Sequence, residues 1–272
     1  MLGRFSLGTI QGRLVPKLNG RYQAHPKGYW RDEFNAAAES GLELIEFILD
    51  YEDADTNPLL NDVPGIQRAI ADSGVGVESI CADYFMAAPL QRVSRSATVL
   101  EQLINVSGQL GIHDIVIPCV DQSSLRDEND TTAFINVIQS LAEKARTKDV
   151  NLSLETDLAP RSFAELLDRI GSKAVTVNYD MGNSASLGYD PVEEFSAYGE
   201  LITDIHIKDR MQGGGPVVLG EGDCDFDTVF KLINGSAYSG PLIMQAYRDD
   251  EGRVIFEKQK TWLQHNYGEL LR

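Results

Sequence analysis

A single (β/α)8 barrel spanning residues 1–272 is the fold this chain predicts, on three observations. Short apolar runs alternate with amphipathic stretches eight times from end to end. Lone glycines stand just before many of the apolar runs, as in Ser40-Gly41-Leu42, Ser73-Gly74-Val75, Leu110-Gly111-Ile112 and Ser239-Gly240-Pro241, and read as left-handed helix stops. Four polar residues, Glu155, Asp180, His206 and Gln245, close four successive runs, at the strand ends where a barrel of this kind carries its active site.

The strands are predicted at 6–11, 42–49, 75–82, 114–120, 151–157, 175–183, 204–210 and 240–247. Several are rich in Ile and Val without clean polar alternation, the pattern of a strand covered on both faces. Helices are predicted near 30–40, 62–73, 94–110, 130–148, 161–170, 190–200, 225–235 and 253–271. In 130–148 the residues Phe134, Val137, Ile138, Leu141, Ala142 and Ala145 recur at helical spacing, with Asp130 and Thr131 as candidate caps. In the last helix Val254, Phe256, Trp262, Leu263 and Leu270 form a face able to close the barrel. No dinucleotide fingerprint supports the rival open sheet, and no linker or low-complexity tract divides the chain.

With 43% hydrophobic residues the chain can bury a large core, and a formal charge of −17 argues against nucleic acid or an anionic membrane surface as partner. No stretch approaches the ~20 apolar residues of a membrane span, and the N-terminus lacks a signal-type apolar region. Cys81, Cys119 and Cys224 show no metal-ligand spacing; two fall in apolar runs, so free thiols in a reducing cytoplasm are expected.

The four strand-end residues are spaced 25, 26 and 39 positions apart, one strand–helix unit each, the last with a longer loop. Two carboxylates, an imidazole and an amide oxygen from neighbouring strands suit one divalent metal of intermediate hardness. Glu155 is a candidate ligand and general base, Asp180 and His206 candidate ligands. Gln245 is either a fourth oxygen donor or a polar residue closing the barrel's top layer. Lys208 shares the side of His206 by the period of two and is placed to meet a substrate oxygen. Asn183 either orients a substrate hydroxyl or caps a turn, and Arg210 meets an anionic group or stays solvated. After the first three strands come Gln11, Arg13 and Asp83, with Glu46 inside the second; these are candidates for hydroxyl or phosphate contacts. Tyr84, Phe85 and Met86 form an apolar wall or pack under their loop. The glycine runs Gly213–Gly215 and Leu219-Gly-Glu-Gly222 offer backbone amides to a phosphate, on a pattern that matches no specific motif. His25, His113 and His265 read as surface or loop positions.

At Leu154-Glu155, Asp180-Met-Gly-Asn183, His206-Ile-Lys-Asp209 and Leu219-Gly-Glu-Gly-Asp-Cys-Asp-Phe226 the chain resembles the sugar-phosphate isomerase/epimerase superfamily of xylose isomerase-like barrels, over essentially its whole length. The resemblance implies one Mn2+, Mg2+, Co2+ or Zn2+, a small carbohydrate substrate, a homodimer or homotetramer, and two glutamates as an acid–base pair. Carried over by position, Glu155 is one of that pair and Asp180 and His206 are ligands. Gln245 stands where the second glutamate is expected, and Asn183 where a substrate-binding histidine often stands. An amide cannot act as a general base, so a one-base isomerisation through an enediolate, or a dehydration of a cyclic polyol, is easier to accept than two-base inversion. The competing expectation is a catalytically altered barrel acting as a carbohydrate-binding or regulatory protein.

Overall fold

The computed structural model describes residues 5–269. The described residues form ten strands: β1 (Leu7–Ile10), β2 (Leu44–Ile48), β3 (Ser79–Cys81), β4 (Asp114–Cys119), β5 (Asn151–Thr156), β6 (Val175–Asp180), β7 (Ile202–Ile207), β8 (Asp209–Arg210), β9 (Pro216–Val217) and β10 (Leu242–Met244). Eight of them close a parallel barrel in the order β1-β2-β3-β4-β5-β6-β7-β10, with helices in the connections. The short pair β8 and β9 makes a separate antiparallel ribbon on the loop that leaves β7, with Asp209 opposite Val217. The (β/α)8 architecture follows from the sequence as expected.

Side chains alternate across each strand and sort into two packing layers. Ile10, Leu44, Ile48, Cys81 and Ile243 meet inside the barrel. Their neighbours Ile45, Phe47, Ile80, Leu242 and Met244 face outward and pack under the helices with Phe34, Phe134, Phe230 and Phe256. The C-terminal helix Arg253–Tyr267 closes the ring against the helix Phe226–Gly235, with Phe226 edge-on to Trp262 and Phe230 stacked 4.4 Å from Tyr267. Phe256 and Leu263 are buried in that seam, whereas Val254 is 65% exposed and is no part of it; Leu270 lies outside the described residues.

Local boundaries differ from the sequence expectation where a side chain can stop an element early. The sixth strand ends at Asp180 rather than 183, because the Asp180 carboxylate accepts from Asn183 N and starts a helix, Met181–Leu187. The long helix begins at Glu128, capped by Asp127 on the amides of Asn129 and Asp130, so Asp130 and Thr131 are inside it. Tyr84–Ala87 is one helical turn that buries Tyr84 and Phe85 under the loop. Gly41, Gly74 and Gly111 have the positive φ of helix stops; Gly240 does not, and is glycine because a Cβ there would run into the carbonyl of Thr203. Among the described residues no helix is long and apolar enough to cross a membrane.

Candidate functional site

The inward-facing positions of β5, β6 and β7 are Ser153 and Glu155, Asn178 and Asp180, Asp204 and His206, so three neighbouring strands deliver polar groups to one place. Register sets Asp180 directly beside His206. Glu155 accepts from Asn183 Nδ2 at 2.5 Å and from Asn178 Nδ2 at 2.9 Å, which engages both of its oxygens. Asn178 Nδ2 also lies 3.1 Å from His206 Nδ1, and that nitrogen is 3.6 Å from Glu155 and 4.0 Å from Asp180. The other ring nitrogen, Nε2, faces Glu46 at 2.9 Å, and Ser79 donates to the second oxygen of Glu46 at 2.8 Å. The imidazole thus rests against a buried carboxylate at ion-pair distance, although among the described residues neither Nε2 nor that Glu46 oxygen has a hydrogen-bond partner in this geometry.

Lys208 lies across the top of this group. Its ammonium is 3.2 Å from Asp180 Oδ2, 3.3 Å from Asn183 Oδ1 and 2.8 Å from Gln245 Oε1. Gly182 makes room for the stem: a Cβ there would stand 2.7 Å from Lys208 Cγ. Arg210 donates to Asn183 Oδ1 at 2.8 Å, and its other nitrogens grip the Gly214 carbonyl.

Burial and the charge of Asp180 push the Glu155 carboxyl up to about 7. His206 is raised as well: burial opposes its imidazolium, but Glu46, Glu155 and Asp204 outweigh burial and lift it to about 10. Ligand atoms of Glu155, Asp180 and His206 lie within 4.8 Å of one another. Two neighbouring buried carboxylates, with an imidazole that lies against a third, fit a divalent cation, which would displace the ring proton on binding.

A cavity of about 480 Å³ opens above these groups, within the range of ordinary small-molecule sites. Glu155, Asn183, Lys208, Arg210, Gln245 and Asp83 line it, while Asp180 and His206 sit just beneath. Met86 also lines it, whereas Gln11, Arg13 and Glu46 do not. Gln11 is wholly buried, its amide oxygen accepting from Ile48 N at 3.0 Å and paired with His25 Nδ1 at 2.9 Å. Arg13 is 1% exposed and donates to the Ala246 carbonyl and to Gln23. Glu46 is below the cavity, on His206. These three act on the wall and on the imidazole instead of meeting solute. His25, expected at the surface, is buried, and burial lowers its pKa to about 4.

The structure also contradicts a phosphate cradle in the glycine runs. Gly213 N donates to Ser186 O and Gly214 N to Met211 O, each at 2.8 Å. The amides of Gly220 and Gly222 both donate to Asp209 Oδ2 at 2.9 Å, and Cys224 N to Oδ1 at 3.2 Å, so that concavity already holds a carboxylate. Sequence reasoning missed Asn178, which the period of two from Asp180 would have placed on the same face. It also missed Arg21, Tyr22 and Gln23, which line the cavity from the long loop after β1. That loop has no periodicity to read. A larger cavity of about 1120 Å³ lies around the N-terminal ends of β4, β5, β7 and β10, lined in part by Asp114, Asn151 and Thr203. It contains none of the strand-end groups, and barrels of this class work from the opposite face.

Comparison with known proteins agrees with this geometry. Residues 34–266 match the family model described as xylose isomerase-like TIM barrel. The putative L-ribulose-5-phosphate 3-epimerase SgbU of Escherichia coli K12 is 23% identical over 262 residues, covering 86% of this chain and 90% of its own. Among solved structures, the 3-keto-D-glucoside 4-epimerase YcjR from E. coli superposes with a TM-score of 0.74 at 16% identity, covering 96% of this chain and 99% of that one. A xylose isomerase-like TIM-barrel protein from Mycobacterium smegmatis in complex with magnesium gives 0.74 at 18% identity, covering 99% and 100%.

Proposed function

The chain belongs to the xylose isomerase-like TIM-barrel family, and from that premise we propose that it is a metal-dependent isomerase or epimerase of a small keto-sugar, a sugar phosphate or a related polyol. The observation that carries this reading is the three-strand cluster: Glu155 and Asp180 converge with His206 Nδ1 at the floor of the cavity, backed by Glu46. Epimerase names among the sequence relatives and the structural neighbours support the reaction class.

Glu155, Asp180 and His206 would hold the ion, with Gln245 as an amide-oxygen donor; Mg2+, Mn2+, Co2+ and Zn2+ all suit such a set. When bound, the ion would polarise a substrate carbonyl and acidify the neighbouring C–H. Glu155 removes that proton. Without the ion, burial and the Asp180 charge already raise the basicity of this carboxylate. Lys208, held between Asp180 and Gln245, presents an ammonium to the oxygen on which negative charge develops. Asn178 and Asn183 fix the Glu155 carboxylate, and Asn183 is in turn fixed by Arg210.

Gln245 favours one-base chemistry, a 1,2-shift through an enediolate or a dehydration, because its amide takes no proton. The three free thiols support a reducing, cytoplasmic setting.

Elemental analysis of the purified protein, followed by deuterium exchange into ketoses, tests the proposal. About one equivalent of divalent metal is expected, lost in Asp180→Ala and His206→Ala. Exchange is expected in the native protein and absent in Glu155→Gln. Ligand-induced thermal stabilisation with no exchange into any substrate would instead identify a carbohydrate-binding protein on an altered barrel. Epimerase activity that appears only in Gln245→Glu would say the same.

A further inference from the structure

The sequence relative described above is named for a sugar phosphate, and the cavity argues for a different substrate. We infer that the sugar handled at this site carries no phosphate: it is an uncharged keto-sugar or keto-glycoside. The inference rests on the proposed isomerase or epimerase reading and narrows it.

A phosphate dianion is bound by free guanidinium forks, by ammonium groups, or by concavities of backbone N–H groups. The charged groups among the described residues lining the cavity are weighted the other way. Leaving out Glu155, which the ion would occupy, Asp50, Glu52, Asp83 and Asp121 supply four carboxylates, against three cations in Arg21, Lys208 and Arg210. Each of those cations is already engaged. Arg21 is 2.7 Å from Asp50 and 3.4 Å from Glu52. Arg210 spends Nε and Nη2 on the Gly214 carbonyl and Nη1 on Asn183. Lys208 is shared by Asp180, Asn183 and Gln245, over the reacting centre, where the sugar carbon must sit. Two further arginines close to the mouth, Arg13 and Arg248, donate to main-chain carbonyls of the surrounding wall.

The glycine runs offer no substitute. The carboxylate of Asp209 fills the concavity formed by Gly220, Gly222 and Cys224, and the amides of Gly213 and Gly214 are turned onto protein carbonyls. What the cavity does offer is suited to hydroxyl groups. Carboxylates and amides such as Asp83, Gln23 and Gln122 accept and donate single hydrogen bonds, and the Tyr22 and Tyr51 rings can cover the apolar face of a pyranose.

The test compares matched pairs, L-ribulose with L-ribulose 5-phosphate and D-fructose with D-fructose 6-phosphate, together with an unphosphorylated 3-keto-glucoside, on Mg2+- or Mn2+-loaded protein. The readout is kcat/KM for incorporation of solvent deuterium. The expected result is a preference of at least about tenfold for the uncharged member of each pair that reacts, since even one or two extra anion–anion contacts at ~4 Å cost that much. Exchange confined to the phosphorylated members would overturn this inference and leave the isomerase reading intact. No exchange with any compound would overturn both. A second arm uses Glu52→Lys, on the exposed rim beside Arg21: the preference should shrink at least about threefold as the rim gains positive charge. An unchanged ratio would show that lining charge does not select the substrate.

Discussion

The two halves of the barrel interior are made of different chemistry. On β1, β2, β3 and β10 the inward positions include Ile10, Leu44, Ile48, Cys81 and Ile243, with Gly8 flat against them. On β5, β6 and β7 they are Ser153, Glu155, Asn178, Asp180, Asp204 and His206, all buried. The difference shows how one barrel both gathers polar groups and tunes them. The polar half brings the groups together, and the apolar half denies them water, so that Glu155 is pushed up to about 7 while its partners stay within hydrogen-bonding reach. Glu46 is the exception that joins the halves: a lone carboxylate on the apolar side, reaching across to His206.

If the halves divide labour in this way, substitutions on each should register in different assays. The largest effect is expected from Glu155→Gln, a loss of about 10²–10⁴-fold in kcat/KM measured by deuterium exchange. The same change should leave the apo protein as stable as before or more so above pH 7, because a carboxyl whose folded pKa is raised costs stability once it ionises. Ile48→Ala should do the reverse: about 2–5 kcal/mol lost in urea unfolding, with kcat retained by the folded fraction. Equal loss of activity and stability in both variants would erase the division.

His25 sharpens the comparison through pH. Its ring lies tilted 5.3 Å from Phe47 behind the apolar half, and its folded pKa of about 4 lies below the ordinary 6.5. The unfolded chain therefore takes up the proton first, and this contribution to stability is present above pH 6.5 and fades as pH falls towards 4. The stability difference between the native protein and His25→Phe should grow by up to about 3 kcal/mol from pH 4 to pH 6.5 in denaturant titrations. A difference independent of pH would mean that the buried ring is not the titrating group. The smallest effect is expected at Glu33, whose buried carboxylate accepts from Gly12 N at 2.8 Å and Leu14 N at 3.0 Å and so ties down the chain after β1. Glu33→Gln should cost about 1–3 kcal/mol, read as a lower Tm, with metal content unchanged.

The polar half was largely legible in the sequence, and the apolar half much less so. Glu155, Asp180 and His206 stand out because each is polar in an apolar run and each lies at a strand's end, and strand ends in this fold share one rim. Gln11, Arg13 and Glu46 looked alike on the page but are placed by information the sequence does not display. The depth of Glu46 depends on register, which pairs it with Ile10 well inside the barrel. Gln11 and Arg13 are turned by the fold of the long loop after β1, which packs over the mouth without any periodic pattern. Boundaries were misread where capping overrode strand propensity: Asp180 ends β6 and caps the next helix with the same carboxylate.

That economy recurs at Asp209, whose carboxylate is clasped by three main-chain amides. The chain thereby fills, with its own side chain, a concavity that would otherwise leave three amides without an acceptor. Shortening that one side chain to glycine would uncover a preassembled oxyanion pocket on the ribbon flanking the catalytic mouth. A barrel that excludes charged sugars thus stands a single codon from a scaffold on which selection, natural or in the laboratory, could begin to recruit them.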